Sequence, residues 1–225
     1  MEITILYDNE GFKNGLKPGY GFSALIKSNG KNILFDTGWD GGMLLSNMDA
    51  LGFTPRDIDV IVLSHWHWDH IGGLPTVLEI TKNIDVFVPA SFSQHLIREI
   101  EKTKKVHKVK EPEEIVKGVY STGELEGRFN DIIIGEQALA IKTSKGLVVV
   151  VGCSHPGVDK ILAISGKMGM VYGIVGGLHG FEDYDQLRGL GLIAPLHCTE
   201  NKNKIKNEFR DKVEFGGVGW SKTVE

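Results

Sequence analysis

The segment LSHWHWDHIGG, residues 63–73, places His65, His67, Asp69 and His70 within six residues, just as the apolar run IDVIVLS ends. Imidazole nitrogens and carboxylate oxygens are ligands of zinc, and imidazole also suits iron as carboxylate suits manganese. Side-chain direction repeats every two residues in extended backbone, so His65 and His67 project to one side and can share a cation. A turn at Trp68–Asp69 swings Asp69 and His70 toward a second cation beside the first. Four ligand side chains at this spacing after a buried strand make a specific signal, set against the plainer reading of a polar turn rich in histidine.

Such a cluster needs partners from distant parts of the chain. LVVVV runs into GCSHPG, with Cys153 and His155; YGIV runs into GGLHG, with His179; GLIAP runs into LHCTE, with His197. Six of the eight histidines therefore lie just past an apolar strand pattern. The carboxyl ends of strands are where open sheets gather their ligand sites. His95 and His107 fall in a charged segment and read as surface residues. Cys153 reads either as a buried structural cysteine or as a group at the metals, and Cys198 as a packing residue. Trp66 and Trp68 alternate with the ligands, either walling off a dry pocket or filling core.

The elements that must position these groups follow from periodicity. ITILYD, YGFSALIKS and KNILFDTG read as strands, with a hairpin at the Asn-Gly of SNGK. GGMLLSNMDALG has helical spacing and stops at Gly52. IDVIVLS and IDVFVPA read as buried strands, and GGLPTVLEITK as a helix. Strands resume at DIIIGEQALAIKT, GLVVVVGCSH, MVYGIVGGLHG, GLIAPLHCTE and KVEFGGVG, with helical patterns at GVDKILAISGK, EDYDQLRGLG and TENKNKIKNEFR. Two sheets packed face to face with helices outside is the simplest arrangement. No linker divides the chain, so residues 1–225 are expected to form a single domain, with a charged, helical excursion or lid at about 91–118.

Composition narrows the function classes. The net charge of −4 is spread along the chain, unlike the basic face that nucleic-acid binding requires. No apolar run approaches the roughly 20 residues of a membrane span. The start reads as a strand rather than a signal peptide, and two cysteines make no disulfide framework. A cytoplasmic protein with a small-molecule partner, and neither nucleic acid nor membrane, is the expectation; oligomeric state is open.

SHWHWDHIGG, NILFDTG and PLHCT resemble the motifs of the metallo-β-lactamase superfamily. GFSALIK, GCSHPG, GGLHG and HCT are most similar to its dihydropteroate-synthase-like, or dihydropterin-phosphate-synthase-like, branch. The resemblance implies an α+β fold, the four-layer αββα sandwich, and two divalent metal ions, zinc foremost with manganese or iron as alternatives. It also implies that His65 and His67 bind the first metal, that Asp69, His70 and His197 bind the second, and that Asp36 supports a ligand histidine through a hydrogen bond. The middle of the chain departs from the pattern. It lacks the histidine expected there, and Cys153 stands where the family's bridging aspartate would be. His155 is then the expected third ligand of the first metal, and the bridge is left among Cys153, a hydroxide alone, or an acidic residue such as Asp131 or Glu136.

The implied activity is that of a binuclear metal-dependent hydrolase, using a metal-bound hydroxide on a small-molecule ester or phosphoester, pterin- or phosphate-containing. Asp69 would orient the nucleophile and His179 would donate a proton or stabilise charge; His179 could equally support the site or be purely structural. No glycine-rich phosphate loop is present. A ligand-binding sensor without turnover, and a transferase or synthase of pterin metabolism, stand as alternatives. A diiron oxygen-reducing role is disfavoured, because His67 occupies the position where such proteins carry a glutamate.

Overall fold

A computed structural model describes all residues 1–225. Apolar runs buried on both faces set the architecture. The strands in chain order are β1 (Glu2–Tyr7), β2 (Ser23–Ser28), β3 (Lys31–Phe35), β4 (Val60–Val62), β5 (Asp85–Pro89), β6 (Lys105–Val109), β7 (Glu113–Val116), β8 (Val119–Ser121), β9 (Leu125–Phe129), β10 (Ile132–Glu136), β11 (Leu139–Thr143), β12 (Gly146–Val151), β13 (Val171–Gly177), β14 (Leu192–Leu196) and β15 (Ser221–Thr223). One sheet has the order β15-β1-β2-β3-β4-β5-β6, the other β14-β13-β12-β11-β8-β7, and β9 and β10 form a separate hairpin.

Alternation along each strand sorts side chains between two cores. In β4, Val60 and Val62 enter the core between the sheets while Ile61 faces helices. In β12, Val148 and Val150 enter the inter-sheet core while Val149 and Val151 face the opposite helical layer. The helices are α1 (Gly41–Ala50), α2 (Trp68–Ile71, a single turn), α3 (Leu74–Ile80), α4 (Gln94–Glu101), α5 (Val158–Gly166) and α6 (Lys202–Glu208). Leu44 and Met48 of α1, Val77 of α3 and Ile97 of α4 cover the first sheet; Ile161 of α5 and Ile205 of α6 cover the second. The result is the four-layer αββα sandwich. No helix is long and apolar enough to cross a membrane.

Strand direction gathers the functional ends. β3, β4, β5 and β6 run parallel, as do β12, β13 and β14. β1 is antiparallel to β2 and β2 to β3, so β1 also points the same way as β3. At the β2–β3 turn Asn29 and Gly30 both have positive φ, 49° and 76°, as a two-residue primed turn requires.

Several expectations need correction. Residues 91–118 are no helical excursion or lid: after α4 they supply β6 to the edge of the first sheet and β7 to the edge of the second. Their charge is what edge strands carry to discourage pairing with other chains. DIIIGEQALAIKT splits into β10 and β11, because at Gln137 the chain crosses to the first sheet, its backbone N–H donating to Ser64 O and its side-chain amide to Leu63 O. KVEFGGVG is not a strand beyond one bridge from Val213 to Ile193. Its glycines serve close crossing instead: a Cβ on Gly217 would stand 2.4 Å from Glu10 O. EDYDQLRGLG forms only a 3₁₀ turn, Tyr184–Leu187.

Gly152, at the end of β12, is where the second sheet presses on the first: a Cβ there would lie 2.3 Å from Ser64 Oγ and 3.3 Å from Asp36 Oδ2. Gly152→Ala is expected to destabilise the fold by about 1–3 kcal/mol, measurable as a lowered midpoint in denaturant titration; an unchanged midpoint would mean that the sheets are not locked there.

Candidate metal centre

The site begins where β4 runs out. Backbone stays extended to His67 (φ −61°, ψ 142°), which precedes the single turn of α2. His65 and His67 therefore converge, with ring centroids 4.7 Å apart, while the turn carries Asp69 and His70 to the other side of His65. The turn is held by backbone: Thr37 N–H donates to His70 O (2.7 Å) and Phe22 N–H to Asp69 O (3.1 Å).

Two sets of ligand atoms result. His65, His67 and His155 offer atoms all within 4.8 Å of one another, and so do Asp69, His70 and His197. Asp69 Oδ2 lies 3.6 Å from His70 Nε2 and 3.2 Å from His197 Nε2. His65 Nε2 and His197 Nε2 are buried and lack any hydrogen-bond partner. An unsatisfied buried nitrogen costs about 1–3 kcal/mol, which a coordinated cation would relieve. The donor set thus fits bound metal.

The other nitrogen of each of four rings is held from behind. Ser64 Oγ donates to Asp36 Oδ2 (2.6 Å), so it accepts from His65 Nδ1 (2.9 Å). His70 Nδ1 donates to Asp36 Oδ2 at 2.7 Å, His155 Nδ1 to Glu136 Oε2 at 2.8 Å, and His197 Nδ1 to Asn9 Oδ1 at 3.0 Å. Each pairing leaves the Nε2 atom facing the pocket, the arrangement that orients metal-binding histidines.

Electrostatics follow from this packing. Burial, reinforced by His155, lowers His67 to about 4, and burial with four neighbouring rings pushes His65 well down. Burial opposes ionisation of Asp69, but the adjoining His197 and His70 rings outweigh it and hold Asp69 at about 2. Burial likewise works against a charged His70, yet the Asp36 carboxylate raises it to about 9. Burial pushes the Cys153 thiol well up. Glu136 is held low despite its burial, because the His155 ring and the Cys153 and His155 amides all donate to it.

His65, His67, Asp69, His70, His155, His197 and Cys153 come together at one spot, and Asp36 stands behind His70. His179 joins them at the rim: its Nε2 is 3.1 Å from His155 Nε2, and its pKa is raised, chiefly by a Cys198 hydrogen bond. Two acidic alternatives for the bridge are corrected. Asp131 is exposed in the β9–β10 turn, and Glu136 faces away from the gap, committed to the amides of Cys153, Ser154 and His155 and to the His155 ring. Trp66 and Trp68 are not core but exposed. Sequence reasoning missed Ser64, Asn9 and Asp8, whose Oδ2 accepts from His197 N–H at 2.8 Å. The signal was available in the polar pair Asp8–Asn9 directly after an apolar strand. It also missed Phe129, whose ring lies 5.2–5.9 Å from the rings of His67, His155 and His179.

Known proteins share the sequence pattern and the fold. The family model of the metallo-beta-lactamase superfamily matches residues 16–159. The 7,8-dihydropterin-6-methyl-4-(beta-D-ribofuranosyl)-aminobenzene-5'-phosphate synthase of Methanocaldococcus jannaschii is 34% identical over 94% of this chain and 92% of its own. An uncharacterized protein of the same organism is 28% identical over 96% and 98%. Among solved structures, a metal-dependent hydrolase of the beta-lactamase superfamily superposes with a TM-score of 0.77 at 25% identity, covering 100% of this chain and 99% of that one.

Because His70 is held at about 9, it carries a proton at pH 7 that a cation must displace. Zinc affinity should rise about tenfold per pH unit up to that value, with at least one proton released per protein. Calorimetric titration in buffers of different ionisation enthalpy counts those protons; a pH-independent affinity would contradict the assignment of His70 as a ligand.

Proposed function

This chain belongs to the metallo-beta-lactamase superfamily, and on that premise we propose that it is a binuclear metal-dependent enzyme acting on a phosphoester or ester of a small molecule that carries a planar heterocycle. The observation that carries this reading is the pair of abutting triads, His65/His67/His155 and Asp69/His70/His197, with unpartnered buried nitrogens aimed into them. Divalent ions held there supply Lewis acidity and lower the pKa of water, zinc being the expected ion.

The chain's own groups do the rest. Asp69, ionised at about 2, keeps His70 and His197 turned toward the pocket. His179 holds a proton at Nε2, donated to His155 in the absence of a cation; once His155 is engaged, that proton is free for a leaving group. Phe129 shields the His67, His155 and His179 rings from water. Tyr20, whose ring lies 5.7 Å from His197 and 6.5 Å from Trp39, and Trp66, 4.9 Å from His67, continue an exposed aromatic rim. Such a rim suits a flat ring entering edge-on or stacked.

A second reading is favoured by the M. jannaschii relative, which is named as a synthase and is similar along nearly its whole length. Here the same site would form a C–N bond between the 6-methylene carbon of a dihydropterin phosphate ester and the amino nitrogen of a ribofuranosyl-aminobenzene phosphate, the ester phosphate leaving with the C–O bond broken and the amine proton passing to solvent. Both readings take planar molecules with a phosphoester and differ in whether water or the aminobenzene nitrogen is the acceptor. Product analysis with and without the aminobenzene partner separates them.

The zinc-loaded protein is expected to turn over at least one member of a panel of phosphomonoesters, phosphodiesters, lactones, thioesters and pterin phosphates. Turnover should be lost in Asp69→Asn, and zinc binding without turnover of any substrate would leave the sensor alternative standing. His179→Ala should retain bound metal but reduce kcat by about 10²–10⁴-fold; an unchanged kcat would remove its role in proton transfer. Phe129→Ala should raise KM about 2- to 10-fold for ring-bearing substrates and leave ring-free ones unaffected.

A further inference from the structure

The two triads leave a gap, and one side chain fills it. Cys153 Sγ lies within 4.8 Å of ligand atoms of His65 and His70 in one grouping, of His155 and His179 in a second, and of His197 and Cys198 in a third. It is thus close to members of both triads at once. Its distance to His70 Nε2 is 3.2 Å, and the residue is 3% exposed. No carboxylate competes for the position: Glu136 is turned to backbone amides and the His155 ring, and Asp69 spans His70 and His197. The sulfur is also fixed in place. The Cys153 N–H donates to Glu136 Oε1 at 2.9 Å, and Gly152 before it is clamped against Ser64. The unpartnered, buried His65 Nε2 and His197 Nε2 aim into the same space from either side.

We infer that Cys153 binds as a thiolate shared between the two cations, a sulfur bridge in a site otherwise built from nitrogen and oxygen. The inference rests on the reading that both triads hold metal, and extends it to the ligand that joins them. A thiol proton leaves to solvent as the two metal–sulfur bonds form, with no change of oxidation state. Sulfur is a soft ligand, so the site should favour zinc, cobalt or cadmium over manganese and magnesium. Cys198 does not take this role, since its Sγ groups with His197 alone among the triad residues and so reaches only one of the two sets.

Cobalt(II) reconstitution of the full chain tests this by absorption, independently of activity. Two cobalt ions should bind, with a near-ultraviolet sulfur-to-metal charge-transfer band that keeps growing through the second equivalent. Cys153→Ser and Cys153→Asp should abolish the band, and the aspartate variant should still bind two ions; Cys198→Ser should retain it. Two bound ions without the band, a band complete after the first ion, or a band lost only in Cys198→Ser would each overturn the thiolate bridge while leaving the metal centre intact. Failure of the wild-type protein to bind any cobalt or zinc would instead overturn the binuclear reading itself, and the bridge with it.

Discussion

The fully buried carboxylate of Asp36 is the contact on which the site depends. It follows β3 with φ of 58° and accepts from Ser64 N–H, Ser64 Oγ and His70 Nδ1. One side chain therefore fixes the end of β3, the end of β4 and the turn of α2 relative to one another. Burying such a charge is costly unless every oxygen is paired. Here the pairing partners are the groups that aim two candidate ligands, His65 through Ser64 and His70 directly. The electrostatic need of the carboxylate and the orientation of the imidazoles are one and the same arrangement.

Glu136 plays the corresponding part in the second sheet. It gathers three successive amides, Cys153 to His155, and then the His155 ring. The loop after β12 is thereby wound around a carboxylate, which brings Cys153 and His155 toward the first sheet. Asp8 and Asn9 complete the pattern from β1 by holding His197. Backbone strain concentrates at the same places. Eight residues other than glycine have positive φ; four are Asn or Asp in turns, and the others are Asp36, Ser154, His179 and His197, all at the site. Residues held in this region cost of order 1–3 kcal/mol each and persist where surrounding contacts over-determine them. The hydrogen bonds to Asp8, Asn9, Asp36 and Glu136 are those contacts for Asp36, Ser154 and His197, and at His179 the carbonyl accepts from Glu200 N–H.

The exposed aromatic rings complete the chemistry of the mouth. Trp66 sits beside His67 and alternates with the ligands in sequence because extended backbone sends neighbours to opposite sides. Its outward position follows from the inward position of His65. The separate β9–β10 hairpin brings Phe129 to the same rim. The mouth is thus walled by the strand end of the first sheet and by the separate hairpin.

What was legible in the sequence was whatever local periodicity encodes. The apolar runs identified β1 to β5 and β12 to β14, and the spacing of His65, His67, Asp69 and His70 implied that a strand end and a turn would present them in pairs. The placement of His155, His179 and His197 after apolar strands pointed to a common end of parallel strands. Chain crossings and pairings between distant segments were not legible, because they depend on partners that no local pattern names. Residues 105–116 read as a charged excursion until β5 and β8 were seen to pair with them. Glu136 read as an interruption in a strand, or a possible bridge, until the loop after β12 was seen wrapped around it. Asn9 had no visible role until the fold brought it to His197, 188 residues away. The types of the ligand-capable groups were thus determined by sequence. Which nitrogen each ring turns inward, and that Cys153 lies between the two triads, was decided only by tertiary structure, because a hydrogen bond fixes orientation only once both of its ends are in place.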